Sequence, residues 1–160
     1  MTSNESFGFA RVAAASPAMQ VADCEYNAQH IIEMMTRAEH EDVAVLVFPE
    51  LCITGYTCAD LFHQPRLQHA AIAALGEIVE KGGAAFSGVA VVGLPFPVGS
   101  QLFNCAAVVY RGTILGIVAK SFLPTYKEFY ERRWFAPAMA APAQEVTLLG
   151  KTIPFGNDLL

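Results

Sequence analysis

Val43-Ala-Val-Leu-Val-Phe48 runs without one polar side chain between the polar His40-Glu-Asp42 and Pro49-Glu50. A half-exposed strand alternates polar and apolar residues, so this unbroken valine-rich run predicts a strand buried on both faces, as in a parallel sheet covered by helices. The residues before it agree. Phe9 to Ala15 reads as a first short strand, and Asp23 is placed to cap a helix in which Ala28, Ile31, Ile32, Met35 and Ala38 recur at three- and four-residue steps. Strand, helix and buried strand make an α/β opening.

The pattern continues downstream. Pro65 suits the first turn of a second helix, with Leu67, Ala71, Leu75 and Ile78 at helical spacing and Gly82-Gly83 marking its end. Val89 to Leu94 predicts a third strand, and Pro95 to Ser100 a turn-rich break. Leu102 to Tyr110 and Thr113 to Ala119, joined at Arg111-Gly112, read as a hairpin. A smaller hairpin, Val146 to Leu149 and Thr152 to Phe155, is expected around Gly150. Lys120 to Phe135 carries no strand pattern but concentrates charged and aromatic residues, as functional loops do.

Composition narrows the function classes. With 54% hydrophobic and 16% charged side chains over 160 residues, the chain can bury a large core, which excludes disorder and a small stapled module. A net charge of -5 has the wrong sign for a nucleic-acid surface, and no polybasic run suits a membrane surface. The longest apolar stretches, Val43 to Phe48 and Val89 to Pro97, fall short of the roughly 18 residues of a membrane-spanning helix. Met1 to Gly8 carries Glu5 and no apolar signal core. Four cysteines without CxxC spacing read as free thiols of a reducing compartment, which predicts a cytoplasmic protein. His30, His40, His63 and His69 form no HExxH and pair with no cysteine, so no metal is expected; nor is a nucleotide, since there is no GxxxxGK[ST] and no GxGxxG after a strand.

Two strand ends could carry chemistry. Glu50 follows Pro49 at the carboxyl end of the most apolar strand, where open α/β sheets place ligand-facing groups. Lys120 closes the strand Thr113 to Ala119 and lies at the same edge if the two strands run parallel. An acid to accept a thiol or hydroxyl proton and a cation to steady an oxyanion are half of a nucleophile-activating site.

Phe48-Pro-Glu-Leu-Cys-Ile-Thr-Gly-Tyr56 resembles the glutamate motif of the nitrilase (carbon-nitrogen hydrolase) superfamily, and Ala119-Lys-Ser-Phe-Leu-Pro-Thr-Tyr126 its lysine motif. The continuation Lys127-Glu-Phe-Tyr-Glu-Arg-Arg-Trp-Phe135 is similar to the glutaminase domains of glutamine-dependent NAD+ synthetases, and Gly93-Leu-Pro95, Phe103-Asn104 and Gly112 agree in order and spacing. The resemblance covers essentially all of residues 8 to 160. It implies a nitrilase-like four-layer αββα sandwich, of which this chain is about the first two thirds, and a partial glutaminase domain over 1–160 with the ATP-dependent synthetase domain absent.

The resemblance also implies a triad in which Glu50 is the general base, Lys120 stabilises the oxyanion, and the nucleophile is a cysteine beyond the lysine motif, not in this chain. Cys24, Cys52, Cys58 and Cys105 are expected to be buried thiols instead. Tyr56 and Tyr126 are implied to shape the glutamine pocket, and Glu131, with Glu128 as competitor, to be an accessory acid near the lysine. The implied reaction is release of ammonia from glutamine for ATP-dependent amidation of nicotinic acid adenine dinucleotide to NAD+. ATP and Mg2+ belong to the synthetase domain only, and a homo-oligomer is implied at full length. A stand-alone amidase for another small amide and a non-catalytic interaction piece are the alternatives. The ending Gly156-Asn-Asp-Leu-Leu160, with no polar tail after a hairpin arm, predicts a reading frame that continues.

Overall fold

The computed structural model describes residues 8–158, so expectations resting on the first seven residues and the final Leu159-Leu160 lie outside the described residues. The order is β1 (Val12–Ala14), α1 (Cys24–His40), β2 (Val45–Val47), α2 (Pro65–Glu77), β3 (Val89–Val98), β4 (Gln101–Tyr110), β5 (Thr113–Ala119), β6 (Glu145–Leu148) and β7 (Lys151–Gly156). The strands form one seven-stranded sheet in the order β1-β2-β3-β4-β5-β7-β6. β1, β2 and β3 are parallel, β3-β4-β5 is an antiparallel meander, and β7 returns parallel to β5. The α/β expectation holds.

Asp23 caps α1 by accepting from the Tyr26 amide at 3.0 Å, and Ala28, Ile31, Met35 and Ala38 are buried as the periodicity requires. With Leu67, Ala71 and Leu75 of α2, they share one core with the sheet row Leu46, Ala90 and Val109 and with Val92 and Ile117. The opposite face is different. Val12 and Val47 are 68% and 43% exposed, while Val45, Val89, Val91, Val108 and Val118 are half-buried. The expectation that Val43 to Phe48 is covered on both faces is therefore corrected: β2 pairs over three residues, and helices cover one side only. Among the described residues, two of the four expected layers are present.

Three further expectations change. β3 does not break at Pro95; it continues to Val98, with Pro95 opposite Asn104 and Pro97 opposite Leu102. The carbonyls of Val91 and Gly93 accept from Phe48 and Ile53, so this alternate set of β3 residues points away from β4. Pro95 and Pro97 belong to the same set, beyond the end of β2, where a missing N–H leaves no rung unmade. Gly82-Gly83 are not a helix stop, because α2 passes through a π turn at Ile78–Gly82 into a last turn at Gly83–Ala85. Close backbone approach demands Gly83, where a Cβ would lie 2.3 Å from the Gly112 nitrogen, while a Cβ on Gly82 would push against the Met35 side chain, 2.6 Å from its sulfur. The β6-β7 hairpin is also more than an isolated arm, since Ile117 and Val118 of β5 pair with Phe155 and Gly156. Its Phe155 is buried against Phe103 at 5.5 Å.

Candidate active site

β2 makes its last rung where the Phe48 amide donates to the Val91 carbonyl at 2.9 Å, and Pro49 ends the strand. The chain then turns sharply, with Leu51 at φ 53 and the Gly55 amide bonded to the Leu51 carbonyl at 2.8 Å. A left-handed leucine costs roughly 1–2 kcal/mol, and it is held by complete burial. The turn rests directly on Gly93, where a Cβ would come within 2.4 Å of the Leu51 nitrogen. This is what holds Glu50 at the strand end.

β5 runs parallel to β2 with two strands between them, as the meander requires, so Lys120 and Glu50 emerge at one sheet edge. The Lys120 ammonium donates to Glu50 Oε1 at 2.7 Å and to Glu131 Oε1 at 3.0 Å. Glu131 Oε2 lies 2.9 Å from the same nitrogen, paired by charge and not by an aligned hydrogen bond. Tyr56 donates its hydroxyl to Glu131 Oε1 at 2.7 Å, and Asn104 donates its amide to Glu50 Oε1. Glu131 is only 1% exposed. A carboxylate so buried requires a partner, and Lys120 is that partner.

Burial opposes charge on Lys120, but the hydrogen bonds and charges of Glu50 and Glu131 outweigh it and hold the ammonium's pKa above its ordinary value. Burial, and then the Glu131 carboxylate, push the Tyr56 phenol up as well. Both groups keep their protons at neutral pH. An ammonium has three donors, so two carboxylates leave Lys120 one N–H to offer. Among the described residues nothing bonds Glu50 Oε2, which leaves that oxygen able to take a proton. A cavity of about 300 Å³ opens at this edge, lined by Val47, Glu50, Val91, Asn104, Ala106 and Lys120.

The sequence-derived candidates separate clearly. Glu50, Lys120, Tyr56 and Glu131 converge, whereas Glu128 is exposed. Tyr126 is 63% exposed with its ring against Phe129 at 6.0 Å, and among the described residues no side-chain hydrogen bond joins it to the cluster. All four cysteines are buried. Burial drives every thiol upward, Cys24 and Cys52 to about 12, so none is poised as a thiolate. Asn104 has no role among the sequence-derived candidates; its signal is a lone amide in the otherwise apolar run Leu102 to Tyr110, a group that needs a buried partner. Among the described residues no group of three His, Cys, Asp or Glu could hold a metal ion, and no helix is long and apolar enough to cross a membrane.

The carbon-nitrogen hydrolase family model matches residues 11–156. The glutamine-dependent NAD(+) synthetase of Mycobacterium tuberculosis strain H37Rv is 42% identical over 154 residues, 96% of this chain and 22% of the relative. The crystal structure of a glutamine-dependent NAD(+) synthetase from Cytophaga hutchinsonii superposes with a TM-score of 0.81 at 31% identity, over 92% of this chain and 25% of that one. An amidase from Nesterenkonia sp. has the same fold, with a TM-score of 0.67 at 24% identity, over 89% of this chain and 53% of the amidase. The chain spans about a fifth of the length of the curated relatives it matches.

Proposed function

Because the chain belongs to the carbon-nitrogen hydrolase family, we propose that it is part of a glutaminase unit that releases ammonia from glutamine for ATP-dependent formation of NAD+ from nicotinic acid adenine dinucleotide. One observation carries the chemistry: a lysine clasped between two carboxylates at the carboxyl edge of a parallel strand pair. In this reading a cysteine thiol attacks the amide carbon while Glu50 Oε2 takes its proton. The remaining N–H of Lys120 meets the tetrahedral oxyanion. Glu50 then returns the proton to the departing nitrogen, ammonia leaves, and water activated by the same carboxylate hydrolyses the thioester. Asn104 and Lys120 tether Oε1, which leaves Oε2 as the proton carrier.

The nucleophile in this proposal comes from sequence outside these 160 residues, since Cys24, Cys52, Cys58 and Cys105 are buried with raised pKa values. Tyr56 supports the pocket through Glu131, and the exposed Tyr126 is the second aromatic proposed to shape the glutamine pocket. ATP, Mg2+ and the synthetase chemistry belong in the same proposal to a separate domain, and the full-length protein is cytoplasmic and oligomeric.

The full-length synthetase tests this. Glu50→Gln or Lys120→Ala should lower glutamine-driven NAD+ formation at least about a hundredfold, the scale of a lost general base or oxyanion donor. Synthesis from free ammonium should persist, since dissolved ammonia bypasses the site. Equal loss with both nitrogen sources, or undiminished use of glutamine, would defeat the assignment.

A further inference from the structure

Two residues that follow Glu131 in its turn reach away from the site to one exposed acid. Arg133 Nε donates to Asp60 Oδ1 at 2.7 Å and Nη2 to Oδ2 at 2.8 Å, and Trp134 Nε1 adds a third bond to Oδ1 at 3.0 Å. Asp60 stands four residues after Tyr56, in the short 3₁₀ turn Ala59–His63. Phe62 of that turn is fully buried against Trp134 and Phe135, with ring centroids 5.7 and 5.0 Å away. The loop carrying Tyr56 and the turn carrying Glu131 are thus fastened on their outer side by an apolar and a polar contact. On their inner side the Tyr56–Glu131 hydrogen bond joins them.

Stability does not account for the polar half of this arrangement. Both partners of the Arg133–Asp60 pair are more than half exposed, and such pairs contribute little to folding. What a planar fork and an indole on one carboxylate do supply is orientation. Glu131 would feel any change at once, because its own carbonyl accepts from the Trp134 and Phe135 amides at 3.0 and 2.9 Å. We propose that Asp60, Arg133 and Trp134 are positioning residues, which lock the two loops together and so set the Glu131 carboxylate against the Lys120 ammonium. The inference goes beyond the glutaminase reading and stands without it.

Trace acetylation reads the Lys120 pairing directly. The 160-residue chain is treated with a small amount of acetic anhydride at pH 8, and acetylation at Lys120, Lys81, Lys127 and Lys151 is quantified by peptide mass spectrometry. Glu131→Gln, which removes the charge partner, sets the scale. In Arg133→Lys, which keeps the charge but loses the fork, and in Trp134→Phe, which keeps the ring over Phe62 but loses the donor, the Lys120-to-Lys151 ratio should rise at least about threefold, as expected of an ammonium released from its partner. Lys81, paired with Glu77 elsewhere, should not change relative to Lys151. An unaltered Lys120 ratio in either folded variant would overturn the proposal, and so would outright unfolding of both, which would mark the cluster as a requirement of the fold. No enzyme activity enters the measurement, so its failure and that of the glutaminase reading are separable.

Discussion

Gly93 matters because the nitrogen of Leu51 occupies the space a side chain would fill. Alanine there would meet backbone on two sides, the Leu51 nitrogen at 2.4 Å and the Pro49 oxygen at 2.7 Å, and neither can rotate away. Overpacking of this kind costs about 1–3 kcal/mol, so Gly93→Ala should lower the unfolding free energy measured in urea by about 2 kcal/mol and displace Glu50 from Lys120. A variant as stable as the parent would show that the turn does not rest on β3. At this scale the sequence was legible where function sits at strand ends: Glu50 and Lys120 were readable because each closes an apolar run. The Asn104 tether was not, because which acid lies beside a mid-strand amide is decided by pairing across 54 positions of sequence.

Elements were legible to the extent that they answer to local rules. α1 begins at its cap and buries the residues its period selects. Asp23→Ala should therefore cost about 1 kcal/mol, with Asp23→Asn well below that because it keeps the acceptor; equal losses in thermal melts of the two would deny the cap. The β4-β5 hairpin was likewise found, since Arg111-Gly112 turns the chain locally. What failed depended on neighbours. Prolines 95 and 97 look like strand breakers until β2 is seen to end before reaching them, and Gly82-Gly83 look like a helix stop until Met35 and Gly112 press against them. The docking of β7 on β5 is a parallel pairing between residues almost forty apart, which no local pattern announces.

The molecule as a whole is acid-tolerant in its thiols and vulnerable to base. Cys24 and Cys52 keep their protons to about 12 in the fold, against an ordinary value of 9.0, and Cys58, Cys105, Tyr56 and Lys120 shift in the same direction. As pH rises through 9.0 the unfolded chain sheds protons that the folded chain retains, so the unfolded state binds fewer and stability falls; only about a unit or more below that value are these groups protonated in both states and the contribution level. Each such buried thiol adds a slope of about 1.4 kcal/mol per pH unit. Urea denaturation under reducing conditions should be nearly flat from about pH 7 to 8 and then decline ever more steeply to about pH 10.5. A curve level to pH 10.5 would contradict it.

The one-sided covering of the sheet bears on the electrostatics of its edge. Val47, Val91 and Ala106 belong to the uncovered face and also line the cavity that holds Glu50 and Lys120. Any layer that settles on those valines must roof the ion pairs beside them. Water that now screens the pair would leave with the water over the valines, and a charge interaction grows severalfold when the local dielectric falls from that of solvent to that of a protein interior. Covering the sheet and sharpening the site are therefore a single event of dehydration.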